Sequence, residues 1–234
     1  MLELPFTRSK LLTTVSGLDH GFSNLDCESP QLQEWKNQCA TAKQVHQDTV
    51  IWIESFEKAE READGVGTDQ RNLPVAVYTA DCAPILFAAV NAARAPVAVM
   101  AVHAGWRGTA AQITKKALQL FSAKAQILGG KKILVSMGPT ISKAAFEVGQ
   151  EVVDAFPGAE QNGMANFFRL EGSQRKYQFD LPGENKRQLE AAASALPVEI
   201  DQLPDCTFSE AARYPSYRRE KGRNTRILSF IVFR

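Results

Sequence analysis

Three short segments hold side chains able to do chemistry: Lys43–Gln47 (KQVHQ), Thr79–Pro84 (TADCAP) and His103–Thr109 (HAGWRGT). They contribute His46, Cys82 and His103, two imidazoles and a thiol. Separations of 36 and 21 residues are too long for a local metal knuckle, so only the folded chain can assemble the three. Three protein ligands leave the fourth tetrahedral position open, as a catalytic zinc requires. The same residues suit two other readings. Cys82 can be a nucleophile with His103 as its base. It can also be a small buried hydrophobe, with the histidines satisfied in the core or at the surface. Asp81 is the nearest carboxylate in sequence. It would act as acid or base, or shape the TADC turn through hydrogen bonds. A structural zinc would need a fourth protein ligand, and Cys206 or Asp81 are the candidates.

Arg107 lies between Gly105 and Gly108, just before a helix expected to open at Thr109. Unpaired N–H groups at such an end attract anions, and Arg adds a planar fork; the plainer alternative is a surface arginine on a tight turn. The stretch from Arg213 to Arg226 holds Arg213, Arg218, Arg219, Lys221, Arg223 and Arg226, offset only by Glu220. Such a run is either a solvated loop or a site for phosphate or another small anion. Arg218 or Arg226 would then oppose Arg107 across the ligand.

These residues need elements to position them. Val50–Ile53, Val75–Thr79, Ile85–Val90, Val97–Val102, Lys132–Met137 and Ile227–Phe233 read as strands. The continuous apolar runs suit strands buried on both faces. Three helices are expected. The first opens at a Thr109–Gln112 capping box, with Ile113, Ala117, Leu120 and Phe121 as its apolar stripe. The second runs from about Ser142 to Phe156, with Ala145, Gly149, Val152 and Phe156 buried, and is stopped by Pro157-Gly158. The third covers about Glu184 to Leu196, with Leu189, Ala192, Ala193 and Leu196 inward. Interspersed strands and helices predict a mixed α/β architecture.

The 234 residues, with 44% apolar and 23% charged side chains, can bury a core, and no linker divides them, so one domain over 1–234 is expected. The net charge of +1 argues against a general nucleic-acid binder. The four cysteines (Cys27, Cys39, Cys82 and Cys206) form no CxxC pair and are too sparse for a disulfide scaffold. Met1–Gly17 lacks the apolar region of a signal peptide, and the apolar runs are too short to span a bilayer. A cytoplasmic protein without a membrane partner is expected. Only three histidines are present. A multicopper oxidase needs on the order of ten, because imidazole is the main copper ligand there.

HGFS (20–23), KQVH, ADGVGTD (63–69), TADCAPIL, AVHAGWRGTAAQI, GPTIS with FEVGQEV (138–152), DLP (180–182), CT (206–207) and SYRR (216–219) occur in that order. In this the chain resembles the bacterial laccase-like polyphenol oxidase family, whose members are described as zinc-dependent purine nucleoside phosphorylases with adenosine deaminase side activity. The resemblance runs from about His20 to the C-terminus. It implies a layered α/β/β sandwich with mixed sheets, also seen in cytotoxic-necrotizing-factor-like cysteine hydrolases, and one metal ion, zinc or copper, on His46, Cys82 and His103.

The expected site has Asp81, Cys82 and Arg107 as catalytic residues, and Gln44, Arg107, Arg218 and Arg226 as substrate-binding ones. The expected partners are a purine nucleoside and phosphate, in a monomer or homodimer. An amide hydrolase with Cys82 as nucleophile, editing peptidoglycan precursors, is the alternative. Three departures from the family pattern stand out. The interval Asn24–Ala42 is short and lacks the family's Gly-rich and Ser-Leu-Asn segments, with Asn24 a candidate replacement for that Asn. Phe146 stands for a Tyr, and Thr225 for a Gly.

Overall fold

The computed structural model describes residues 6–24, 29–156, 166–172, 175–221 and 224–234. Cys27, Pro157-Gly158 and Arg223 lie outside them.

Ala83–Val90 and Pro96–Ala104 are almost wholly apolar, and nearly every residue is buried. They pair antiparallel and form the middle of a six-stranded sheet. Lys132–Met137 and then Val198–Gln202 extend it on one side. Gly65–Thr68 and then Val50–Trp52 extend it on the other. Side chains alternate across a strand, so the sheet has two apolar faces.

On one face Ile85, Phe87, Met100 and Val135 meet Ile113, Ala117 and Phe121 of the helix Ile113–Ile127. On the other, Leu86, Ala88, Val99 and Leu134 meet Phe22, Val77, Ile227 and Ile231 of a second sheet. That sheet is antiparallel, in the order Phe6–Thr7, Leu18–Ser23, Ile227–Phe233, Val75–Thr79. The result is the expected α/β/β layering, in which the six-stranded sheet is mixed and the second sheet wholly antiparallel. The outer face of the second sheet is partly covered by the helix Pro30–Gln38, whose Trp35 ring sits 4.7 Å from that of Phe230. Side chains such as Phe87 and Phe121, with ring centroids 5.6 Å apart, each contribute about 1.5–3 kcal/mol by burial.

The strand expectations hold, with small extensions at Ala83–Val90 and Pro96–Ala104 and with Ile53 falling outside the strand Val50–Trp52. The helices need correction. Thr109 is not a cap: it lies inside a five-residue helix, Trp106–Ala110, whose N-cap is Gly105. Its hydroxyl donates to the Gly105 carbonyl at 2.9 Å and accepts from the Asn185 amide at 3.1 Å. Gln112, left-handed at φ 64°, breaks the chain before the longer helix begins. That helix buries Leu118 rather than Leu120.

The expected helix from Ser142 to Phe156 is a turn at Lys143–Ala145, a strand at Glu147–Gly149 and a short helix at Gln150–Asp154. Backbone pairing of Glu147–Gly149 with Lys176–Phe179 overrides the helical spacing. Val152 and Phe156 still point into the core as expected. The last helix is Leu181–Ala191, earlier than read, because the Asp180 carboxylate caps it by accepting from Gly183 N–H at 2.9 Å. Ala193 is exposed and Leu196 lies beyond the helix, half-buried.

Candidate metal centre and its cavity

His46, Cys82 and His103 come from three different places. His46 lies in the loop after the strand Thr41–Lys43, Cys82 in the break between Val75–Thr79 and Ala83–Val90, and His103 near the end of Pro96–Ala104. Their ligand atoms all lie within 4.8 Å of one another, and the two imidazole rings meet edge to face at 4.7 Å. Two imidazole nitrogens and a thiol at this spacing fit a borderline-soft ion such as zinc or copper. Neither candidate fourth ligand joins this cluster among the described residues. Cys206 bonds instead with the Ser142 hydroxyl at 3.2 Å.

Asp64, absent from the expected site, organises both histidines. His103 Nδ1 donates to its carboxylate at 2.7 Å, which leaves Nε2 for the cluster. The same carboxylate accepts the backbone N–H groups of Val45, His46 and Gln47 at 3.2, 3.0 and 2.8 Å. Three consecutive N–H groups wrapped on one anion make a nest. That nest holds His46 in its left-handed conformation, φ 59°. Burial alone would push Asp64 up, yet the bonds from His103, Gln47 and His46 hold it below its ordinary value.

Two glycines clear space for this arrangement. A Cβ on Gly105 would lie 2.9 Å from Cys82 Sγ, and one on Gly108 2.6 Å from the Gln47 carbonyl. They therefore admit the cluster and the 45–47 loop. Burial pushes the Cys82 thiol up, but the charge of His103 and hydrogen bonds from both histidines outweigh it and lower it. His103 shifts the opposite way: burial lowers it, while Cys82 and Asp64 together raise it.

The cluster opens into a cavity of about 700 Å³. Gln44, Asp81, Arg107, Arg218 and Arg226 all line it; Asn24 does not. Arg107 is exposed and stacks over Trp106, 4.3 Å from the ring centre. Arg218 lies over Phe146 at 5.3 Å. Arg213 and Arg219 of the same basic run have structural work instead. Arg213 pairs with Asp205 and Glu210, and Arg219 donates to the carbonyls of Thr207, Phe208 and Tyr214.

Two lining residues are committed to holding the walls. Both ends of the Gln44 amide bond the Tyr78 main chain, at 2.7 and 2.8 Å. The Asp81 carboxylate accepts from Thr207 Oγ1 at 2.7 Å, Ser216 Oγ at 3.1 Å and Arg218 N–H at 2.7 Å. Thr207, Ser216 and Asp64 were missed as site-building residues. Buried polar side chains with several partners leave no mark in a single sequence. No described helix is long and apolar enough to cross a membrane.

The chain is 34% identical over 192 residues to the purine nucleoside phosphorylase YfiH of Shigella flexneri, covering 81% of this chain and 71% of that protein. It is 31% identical over 195 residues to a purine nucleoside phosphorylase of Rickettsia conorii, covering 82% and 76%. The crystal structure of YlmD from Geobacillus stearothermophilus superposes with a TM-score of 0.75 over 98% of this chain and 99% of that one, at 23% identity, and shares its fold. The family model described as multi-copper polyphenol oxidoreductase laccase matches residues 24–234, nearly the whole chain. With the segments that carry the cluster inside that match, the chain belongs to the multi-copper polyphenol oxidoreductase laccase family, alongside relatives named purine nucleoside phosphorylases.

Proposed function

We propose that residues 1–234 form one catalytic domain, a zinc-dependent purine nucleoside phosphorylase with adenosine deamination as a side activity. Its substrates are adenosine or inosine and inorganic phosphate; its products are the free base and ribose 1-phosphate. The observation that carries this reading is the His46–Cys82–His103 cluster in a cavity lined by arginines and aromatic rings, in a chain whose relatives at 31–34% identity are named for this reaction.

In the reaction the bond between the anomeric carbon and the base nitrogen breaks. A phosphate oxygen bonds to that carbon, and the base leaves with a proton. Negative charge enters with the phosphate, so cations must hold it in place. Arg107 and Arg218 supply them. Trp106, Phe146 and Tyr217 give flat faces suited to a purine. Asp81, with three hydrogen bonds already accepted, acts as a positioning residue: it holds the turn that carries Tyr217 and Arg218. Zinc on His46, Cys82 and His103 would supply a Lewis-acid pole for a phosphate or sugar oxygen.

The test is incubation of adenosine or inosine with and without phosphate. Formation of ribose 1-phosphate only when phosphate is present supports the proposal, and free ribose without phosphate contradicts it. A second reading rests on a specific observation. The lowered Cys82 thiol, His103 and the Asp64 carboxylate behind it also suit a nucleophile, base and orienting acid. That reading predicts cleavage of amides in peptidoglycan precursors with no need of metal. A multicopper oxidase is disfavoured by the three histidines.

A further inference from the structure

The inward stripe of the helix Leu181–Ala191 includes Leu181, Asn185, Gln188 and Leu189. Their spacing is that of an apolar face, yet Asn185 and Gln188 are amides. A buried amide needs hydrogen-bond partners. These two find them on the short helix Trp106–Ala110, whose Trp106 and Arg107 line the cavity. Asn185 donates to the Thr109 hydroxyl at 3.1 Å and to the Leu181 carbonyl at 2.9 Å, and its oxygen accepts from the Thr114 hydroxyl. Gln188 donates to the Thr109 carbonyl at 2.8 Å. Thr109 in turn donates to the Gly105 carbonyl at 2.9 Å. Asn185, Thr109 and Thr114 are buried, and none of them lines the cavity or belongs to the metal cluster.

Trp106–Ala110 has only five residues, and isolated helices shorter than about 12–15 residues are marginal in water. Its direction is therefore set by what grips it. Gly108 abuts the Gln47 carbonyl, and Thr109 is held by Asn185 and Gln188. Arg107, stacked over the Trp106 ring at 4.3 Å, goes where this helix goes. Resting on the phosphorylase reading above, we infer that Asn185 is a positioning residue for phosphate, acting through Thr109 to aim Arg107 into the cavity. Gln188 supports it from the next turn of the same helix. Asp64, not this tie, orients His46 and His103. Loss of the tie therefore weakens phosphate binding and leaves the metal in place.

The test is calorimetric titration of zinc-loaded protein with inorganic phosphate. It compares the unmodified chain, Arg107→Ala, Asn185→Ala and Thr109→Val, the last two each alone and combined with Arg107→Ala. Thermal unfolding, zinc content and ribose 1-phosphate formation from adenosine are measured alongside. Asn185→Ala and Thr109→Val should each weaken phosphate binding about tenfold, the worth of a charge-assisted contact, with zinc content unchanged. Thr109→Ser, which keeps the hydroxyl, should bind phosphate within about twofold of the unmodified chain, since the bond to Asn185 survives. In the Arg107→Ala background either substitution should add less than about twofold, because both act on the same contact. A merely structural tie would give additive losses there, and that result overturns the inference. Phosphate affinity unchanged in Asn185→Ala and Thr109→Val, or in Arg107→Ala, also overturns it, as does an unmodified chain that binds no phosphate. If Asn185→Ala does not fold, Thr109→Val decides; loss of fold or zinc in both overturns the inference. Phosphate-dependent cleavage of adenosine in the unmodified chain would leave the phosphorylase reading standing in these cases. An Asn185-dependent phosphate affinity in a chain that cleaves no nucleoside upholds the positioning role and sinks the phosphorylase reading alone.

Discussion

Asp64 sets both histidines at once, through a bond to one ring and a nest around the backbone of the other. Such second partners of a ligand histidine typically tune metal affinity by about 10–100-fold. Asp64→Asn, which removes the charge and presents an N–H₂ group to other donors, should therefore weaken zinc binding by that order in a chelator competition; a change under about twofold would deny Asp64 this role. Arg107→Ala should raise the KM for phosphate while metal content stays constant. Arg107→Lys should rescue only part of it, because an ammonium lacks the bidentate fork. Full activity in the alanine variant would remove Arg107 from the site. His46, Cys82 and His103 were legible in the sequence because their types are scarce and chemically distinctive. Asp64 was not, since an Asp before a Gly reads as a turn and only the fold shows it buried at the crossing of two segments.

The elements show where local spacing misleads. Apolar strands such as Lys132–Met137 and Ile227–Phe233 were legible to the residue because a buried strand needs little else. The stretch Ser142–Phe156 has helical spacing, but Glu147–Gly149 finds a strand partner some thirty residues on, which no local pattern records. At Gln112 the chain turns left-handed between two helices, and the side chain is exposed without a capping bond. A left-handed non-glycine residue costs roughly 1–2 kcal/mol, part of which glycine gives back in chain entropy. Gln112→Gly should stabilise the fold by about 0.5–1 kcal/mol in denaturant unfolding. A loss of stability there would mean that Gln112 makes contacts in solution that outweigh its backbone strain.

At the scale of the whole molecule, the layered order was legible from the alternation of strands and helices together with the family resemblance. The coverage of the outer sheet face by Trp35 was not, because Pro30–Gln38 has no marked apolar stripe. The inter-sheet layer also makes a prediction about acid. His20 is buried, and burial first and Arg8 next lower it from 6.5 to about 4. The unfolded chain takes up a proton near 6.5, the folded chain only near 4. Stability from this group is thus complete above pH 6.5 and is lost as pH falls from 6.5 towards 4, by about 3 kcal/mol at most. His20→Gln should flatten this part of the pH–stability curve; an unchanged slope would mean that other groups set it.

The most direct test of the central claim is phosphate-dependent formation of ribose 1-phosphate from adenosine, measured against zinc bound per chain as the protein is stripped and reloaded. The account predicts a rate that rises with zinc and levels off at one ion per chain, with Cys82→Ala inactive at every metal concentration. A stripped chain that cleaves its substrate as fast as the loaded one would contradict it.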